Sequence, residues 1–498
     1  MSRVRGLVRR CPAAARWIAL VAFANALAWS ILVPPFQVPD ENAHVAYVQY
    51  LAETGKLPIG VRNRPQYSPE ILGTLYGLRF LNVIGRSELR PPGTRAESVD
   101  LVAARAHPAS RTGSGDVATA TNNPPLYYAV EAAAYLATPS DDLLTRVASL
   151  RIVSALLAAL TALFGTLFVR ELLPGTSLAW VAGGLAIALQ PLFGFIGGGV
   201  NNDVGLMCAA AAMFLALARI FRRGLTTRRA VAVGAALVAG VLAKATMIAF
   251  VPAVAFALLW AVARAGHPRR AVLRAAAVGV CVVAVPMLLY AALSATVWDR
   301  PVWGAAAAGA STTQASHEAV REPAPGSLRE QVSYGWQLFL PKLGVFSQLH
   351  PVADPPEDIW FRGFVGEFGW LDYRFPGWVY TLAKVISALV VVLALVTLVR
   401  DRRKLLARAA ELATYVLAVV GLAALIGVAG YDYWRNTGER FEQARYLLPL
   451  LSLYGAIVGL AVRAIGRRAA PAVVAAAVVL MLGWSSYAQI ITVMRYYA

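Results

Sequence analysis

Eleven apolar runs, most of them close to membrane-spanning length and separated by gaps that carry arginine, leave this chain of 498 residues one architecture: a bundle of helices crossing a membrane. A helix rises about 1.5 Å per residue, so roughly 20 apolar residues cross a hydrocarbon core of about 30 Å. The runs lie at 17–33, 152–169, 177–195, 204–221, 230–243, 245–263, 275–297, 379–399, 409–430, 446–462 and 471–490. A mean hydropathy of +0.58 agrees, because a soluble fold of this size has no means of hiding so much apolar surface. The net charge of +19 does not gather into one patch with interleaved aromatics, so nucleic acid is not an expected partner.

The basic residues instead set the topology. Short loops rich in Lys and Arg stay cytoplasmic. Arg3, Arg5, Arg9, Arg10 and Arg16 place the N-terminus inside, and alternate gaps then carry Arg170, the Arg222-Arg223 and Arg228-Arg229 pairs, Arg264 with Arg269 and Arg270, Arg400 to Lys404, and Arg467-Arg468. The stretch 230–263 has arginines at both flanks, so it must cross twice, with Lys244 at the outer turn. The first apolar run continues past Ala26-Leu27-Ala28 to Val33, which favours a retained helix over a cleaved signal. The expected organisation is a cytoplasmic N-terminus with the first helix (1–33), an outer loop with interfacial helices (34–145), helices two to seven (146–297), a second outer segment (298–378) and helices eight to eleven (379–498), ending outside. Cys11, Cys208 and Cys281 offer no disulfide framework, and His44, His107, His267, His317 and His350 have no ligand spacing. No metal site is expected from these residues, although a divalent cation held by carboxylates alone is left open.

Five polar constellations fall on the outer side. Pro39-Asp40-Glu41-Asn42-Ala43-His44 follows the first run, with Asp40 and His44 four residues apart on one helix face and Val45, Val48, Leu51 and Ala52 forming an apolar stripe, so a helix lying on the membrane is expected. The blander alternative is that Asp40 only caps that helix. Asn122-Asn123-Pro124-Pro125-Leu126-Tyr127-Tyr128 opens an apolar stretch too short to span, an interfacial helix or an aromatic anchor. Gly197-Gly198-Gly199-Val200-Asn201-Asn202-Asp203 forms a turn in which Asp203 heads the next helix, as a ligand or as a cap. Gly369-Trp370-Leu371-Asp372 precedes the eighth run as a binding loop or an anchor. Glu439-Arg440-Phe441-Glu442-Gln443-Ala444-Arg445-Tyr446 puts Arg445 at the outer end of the tenth run, against the positive-inside trend, which calls for an anionic partner: a substrate, or simply Glu439 or Glu442.

Taken in order, Pro39-Asp40-Glu41 with His44, Asn123-Pro124-Pro125-Leu126-Tyr127-Tyr128, Asn202-Asp203, Gly369-Trp370-Leu371-Asp372 and Gln443-Ala444-Arg445-Tyr446 resemble the GT-C superfamily of polyprenyl-phosphate-sugar glycosyltransferases. Within it they resemble the bacterial membrane family called domain of unknown function 2142. The chain departs from many aminoarabinose transferases in carrying Asn123 where those have a lysine, and it has Ala444 where related sequences have glycine. The resemblance implies an all-α GT-C bundle in the bacterial inner membrane, with an outward-facing site that transfers sugar, with inversion, from a polyprenyl-phosphate donor to a hydroxyl of a glycan, lipid or protein. It further implies Asp40 as the base, with Glu41 as its substitute or as a ligand. Arg445, then Lys244, would stabilise the phosphate, and His44, Asn123, Tyr127, Asn202, Asp203, Asp372 and Gln443 would hold sugar or acceptor. A carboxylate desolvated at the interface is expected to have a raised pKa. The competing readings are a polyprenyl-linked-sugar flippase, which calls for ionisable residues or broken helices near the midplane, and a non-catalytic envelope-assembly protein.

Overall fold

The structure, a computed structural model, describes residues 11–58, 66–94, 96–106, 109–113, 120–265, 269–298, 302, 327–346, 355–438, 440, 442–466 and 468–498. The N-terminal arginines up to Arg10, most of 299–326, Glu439 and Arg467 lie outside the described residues.

The described residues are mostly helical. The helices that build the bundle and carry the site are α1 (Ala13–Leu32), α2 (Glu41–Thr54), α3 (Leu126–Ala137), α4 (Leu143–Leu172), α5 (Ser177–Ala188), α6 (Pro191–Gly197), α7 (Asp203–Arg223), α8 (Thr227–Ala243), α9 (Val251–Ala263), α10 (Arg269–Thr296), α11 (Gly377–Arg400), α12 (Ala409–Thr437), α13 (Leu451–Ala464) and α14 (Ala470–Tyr497). Two residues each from Glu367–Phe368 and Tyr373–Arg374 form an antiparallel hairpin.

Among the described residues nine helices are long and apolar enough to cross a membrane, or ten if the bent pair α5 and α6 is one span. Of the eleven expected runs, 230–243 forms the 17-residue α8, shorter than those nine, yet it joins the end that holds Arg223 to the end that holds Lys244. The third expected span, 177–195, is broken by 53°. Gln190 is extended there and its side-chain oxygen accepts from the Phe193 N–H, capping α6, while Pro191 lacks the N–H that a continuous helix would use. Close helix approach is bought with glycine in the centre of the bundle, where a Cβ on Gly183 would come within 2.3 Å of the Gly455 carbonyl oxygen.

Long-range ion pairs sort the helix ends into two sets. One set joins the far ends of α4, α7, α11 and α13 and the start of α12: Arg222 to Glu411 (3.2 Å), Arg223 to Glu171 (2.6 Å) and Arg463 to Asp401 (2.7 Å). These are the arginine-rich ends assigned to the cytoplasm from the sequence. The other set gathers the segment after α1, the start of α4, the start of α7, the end of α8, and the entries to α11 and α13. All five polar constellations fall at this second end.

The helix α2 departs from expectation. Every residue from Glu41 to Tyr50 is buried, so it is packed on all faces instead of lying on a surface. Its polar residues tolerate burial because each finds a partner: Asn42 donates to Tyr67 Oη (2.8 Å), His44 meets Tyr128 Oη (2.8 Å), and Gln49 donates to Glu70 (2.6 Å) and accepts from Ser68 (2.5 Å).

Candidate functional site

Asp40 precedes α2 with φ 63° and ψ 3°, the left-handed region, and its side chain makes no capping hydrogen bond. A non-glycine residue there costs on the order of 1–3 kcal/mol, least for Asp and Asn, and persists only where its surroundings hold it. The twist turns the carboxylate away from its own helix and onto a residue 405 positions distant: Arg445 Nη2 donates to Asp40 Oδ2 at 2.5 Å. The helix-cap reading of Asp40 is thereby set aside, and so is the pairing of Arg445 with Glu442, which instead takes Arg440 (3.3 Å) and the Tyr334 hydroxyl.

Arg445 and Lys244 reach this point by the same local device. Gln443 and Lys244 are both extended, each is followed by a 3₁₀ turn (Ala444–Leu450 and Ala245–Phe250), and only then does the α-helix begin. The unwound entry carries both cations to one place. Lys244 Nζ donates to Asp203 Oδ1 at 2.6 Å, and Arg445 Nε stands 4.0 Å from Asp203 Oδ2. Asp203 Oδ2, Arg445 Nε and Asn202 Oδ1 are buried without a hydrogen-bond partner among the described residues. The cluster is thus two acids and two cations with unused hydrogen-bonding capacity at its centre.

The electrostatics correct one expectation. Burial alone would raise the Asp40 carboxyl, but the adjoining Arg445 outweighs it, helped by His44 and Lys244, and holds the pKa below the ordinary 3.8. Burial drives His44 down to about 4 despite the attraction of Asp40, so the imidazole is neutral at pH 7.

Glu41 is placed differently. It is fully buried, and Arg151 grips it bidentately (Nε to Oε1 2.8 Å, Nη2 to Oε2 2.6 Å) while the Val200 and Phe36 N–H groups donate to the same two oxygens at 3.0 and 2.7 Å. Arg151 also donates to the carbonyls of Ser30, Val33 and Pro34. Every lone pair of this carboxylate is occupied.

The remaining expected residues divide. Asn202 donates to the Ala243 carbonyl (3.2 Å), tying the start of α7 to the end of α8 beside Lys244. Asn201, not singled out in the sequence, donates to the Pro39 carbonyl (3.1 Å) and accepts from the Asp203 N–H (2.9 Å), bracing both acids. Tyr127 is buried against Ser154 Oγ (3.0 Å), and Ser154 in turn donates to Glu131 (3.1 Å). Burial pushes the Glu131 carboxyl up to about 8. Asn123 holds its own turn by donating to the Ala120 carbonyl (3.2 Å). Asp372 accepts two bonds from Arg495 (2.9 and 2.7 Å) and one from the Trp370 N–H (2.9 Å). Gln443 and Arg445 form part of the wall of a cavity of about 430 Å³ that also includes Asp372. Among the described residues no group of three or more His, Cys, Asp or Glu is placed to hold a metal ion.

Arg151 and Arg495 were missed as site-end cations. Both stand at helix ends assigned to the outer face, so the signal that singled out Arg445, a cation on the wrong side for topology, was present for them as well.

The family model described as a predicted membrane protein, DUF2142, matches residues 23–454. The chain belongs to that family. The matched region of this DUF2142 member contains Asp40, Glu41, Arg151, Asp203, Lys244 and Arg445, and stops before Arg495. No curated protein matches. Among solved structures, the chain is similar to ArnT from Cupriavidus metallidurans in the apo state at 15% identity and a TM-score of 0.44, over 91% of this chain and 60% of that one. It is also similar to the Archaeoglobus fulgidus oligosaccharyltransferase in the apo form at 13% identity and a TM-score of 0.43, over 97% of this chain and 56% of that one. The chain therefore spans less than two thirds of the length of either.

Proposed function

We propose that this DUF2142 member is a glycosyltransferase of GT-C type that moves sugar from a polyprenyl-phosphate donor to an acceptor hydroxyl at the extracytoplasmic face of the bacterial inner membrane. One observation carries the reading: a strained, partly exposed acid, Asp40, is aimed at a buried guanidinium, Arg445, beside a second acid, Asp203, that is paired with Lys244, and both Arg445 and Asp203 retain an unused polar atom. That is the equipment for a phosphate leaving group and a proton to be taken up within a few ångströms of each other.

The ion pair gives the cycle an order. With no donor bound, Arg445 keeps Asp40 ionised and weakly basic. A donor phosphate arriving at Arg445 and Lys244 competes with Asp40 for the guanidinium, and the released carboxylate loses the charge that depressed its pKa while burial continues to raise it. Asp40 then accepts the proton of the acceptor hydroxyl as that oxygen attacks the anomeric carbon and the bond to the phosphate oxygen breaks. Asp203 holds Lys244 in place, and Glu41, with no free lone pair, fixes the loop that presents Asp40 instead of acting as a base.

The test is transfer of labelled sugar from a short-chain polyprenyl-phosphate donor in proteoliposomes, with sidedness read from a membrane-impermeant maleimide on an Asp40→Cys variant. Sugar transfer by the wild type, its loss in Asp40→Asn and labelling from the outer side are expected. Full transfer by Asp40→Asn, or labelling only from the cytoplasmic side, overturns the proposal.

A further inference from the structure

We propose that the cavity on the wall of which Arg445 lies is a binding site for a neutral saccharide, an assignment that rests on the glycosyl-transfer reading. The cavity is about 430 Å³, within the roughly 300–1,000 Å³ typical of small-ligand sites. It lies between the π-helical turn Glu357–Arg362, the hairpin 367–374, α6 and the extended entry to α13.

Its chemistry selects against the other ligands of such an enzyme. Four carboxylates and three guanidinia line it, but most are committed to one another or to neighbours: Asp358 with Arg362 (2.9 Å), Asp372 with Arg495 (2.7 Å), Glu442 with Arg440 (3.3 Å) and Arg445 with Asp40 (2.5 Å). Glu367 and Arg374 stand opposite each other in the hairpin. Apart from Arg445, which the donor phosphate is proposed to reach beside Asp40, the cavity offers an anion little uncompensated positive charge, and a prenyl chain finds too many polar atoms. A polyol suits it: paired charges leave lone pairs and N–H groups for hydroxyls, while Leu192, Phe195 and Ile196 on α6 offer an apolar face for ring C–H groups.

Two further observations point to a ligand. Arg362 Nε, on a lining residue, is buried without a hydrogen-bond partner among the described residues, lying 2.9 Å from Asp358 Oδ1 but off the hydrogen-bonding direction. A buried N–H donor left empty is costly, and a hydroxyl oxygen would satisfy it. The hairpin tip that overhangs the cavity is also strained. Leu371 sits at φ 64°, a conformation rare for a branched side chain, and stays 46% exposed although its neighbours are pinned by Trp370 Nε1 donating to the Phe36 carbonyl (3.1 Å) and by Asp372 on Arg495. Because Arg445 belongs to both the cavity and the Asp40 cluster, a saccharide bound here is one guanidinium away from the proposed base.

The experiment is saturation-transfer-difference NMR on the full chain in nanodiscs, with neutral hexose and pentose disaccharides as free probes and a short-chain polyprenyl-phosphate hexose as the competing lipid-linked probe. Disaccharide protons should receive saturation from the wild type. Arg362→Gln should weaken the binding on the order of tenfold by removing a charged donor, and Ile359→Trp should abolish it by filling the space. Competition between free and lipid-linked sugars assigns the cavity to the sugar of the donor, and simultaneous binding assigns it to the acceptor; both support the proposal. No saturation of any saccharide, or saturation unchanged in both variants, overturns it. Saccharide binding without sugar transfer in proteoliposomes sinks the enzymatic reading and leaves the cavity assignment standing. Transfer with the same saccharide KM in both variants as in the wild type sinks the cavity alone.

Discussion

Asp40 and Glu41 are adjacent in the chain, both acidic, and each is held by an arginine from far away in sequence, yet they occupy opposite physical situations. Glu41 is sealed: four donors meet two oxygens, and its arginine spends its remaining N–H groups on three carbonyls. Asp40 is open: its side chain is 25% exposed, its backbone is strained, and its arginine keeps an N–H unused 4.0 Å from a second acid with an unused oxygen. A saturated ion pair fixes structure, whereas an unsaturated one with strain and access is able to exchange partners. The peptide between the two residues therefore divides scaffold from site.

The largest effect that would sharpen this comparison is on chemistry. Asp40→Asn keeps the size and a residue at home in the left-handed region, so it removes the charge alone, and the rate of sugar transfer should fall by about 10²–10⁴. A loss under tenfold in a proteoliposome assay would place the base elsewhere. Next comes stability. Arg151→Met leaves Glu41 buried without its ion, and thermal unfolding in detergent should show a loss of about 3–5 kcal/mol. Asp40→Asn should lose less, because Arg445 retains Asp203 nearby and the Asp40 side chain is partly hydrated. The reverse ranking would break the distinction between sealed and open acids.

His44, one turn along α2, provides a third and smaller test. Its folded pKa of about 4 lies below the ordinary 6.5, so the unfolded chain takes up a proton that the folded one refuses. The His44 contribution to stability is then full above pH 6.5 and declines as pH falls toward 4, at up to about 1.4 kcal/mol per pH unit and about 3 kcal/mol in all, while Glu131, its carboxyl pushed up to about 8, contributes the opposite slope. Asp40, with a depressed pKa, adds its own loss only below the unfolded carboxylate value of 3.8. The stability of His44→Gln should therefore gain on that of the wild type as pH falls from 7 to 4; an identical slope in the two would mean that His44 takes up its proton in the folded state as readily as in the unfolded one.

Helix content, the pairing of span ends and the convergence of the polar motifs were legible because hydropathy and the distribution of arginine report on the bilayer directly. The details that separate site from scaffold were not. Nothing in Pro39-Asp40-Glu41 says which acid is sealed, because the answer lies in Arg151 and in two N–H groups at Phe36 and Val200. The stripe of α2 suggested a surface helix because partners such as Tyr67, Glu70 and Tyr128 are invisible to a helical wheel. Tyr127 and Asp372 carried the right motif but have their polar atoms engaged by Ser154 and Arg495. The bend at Gln190 had a local sign, a proline after a capping residue, inside a run otherwise apolar enough to read as one straight span.

The smallest effect concerns the hydroxyl on which His44 leans. Burial raises the Tyr128 phenol well above its ordinary pKa, so it keeps its proton, and its oxygen lies 2.8 Å from His44 Nδ1, to which it donates when the imidazole carries its hydrogen on Nε2. A hydrogen bond received by the imidazole favours its neutral form. Tyr128→Phe should therefore cost about 1 kcal/mol at neutral pH, the net worth of one such bond, and should also move the acid decline of His44 to higher pH. The second consequence separates electrostatics from packing, because a phenyl ring retains the stacking on Tyr47 (3.7 Å between centroids) that a larger truncation would lose. Were the decline to move to lower pH instead, Nδ1 would be the donor and Nε2 the unprotonated nitrogen of the neutral imidazole.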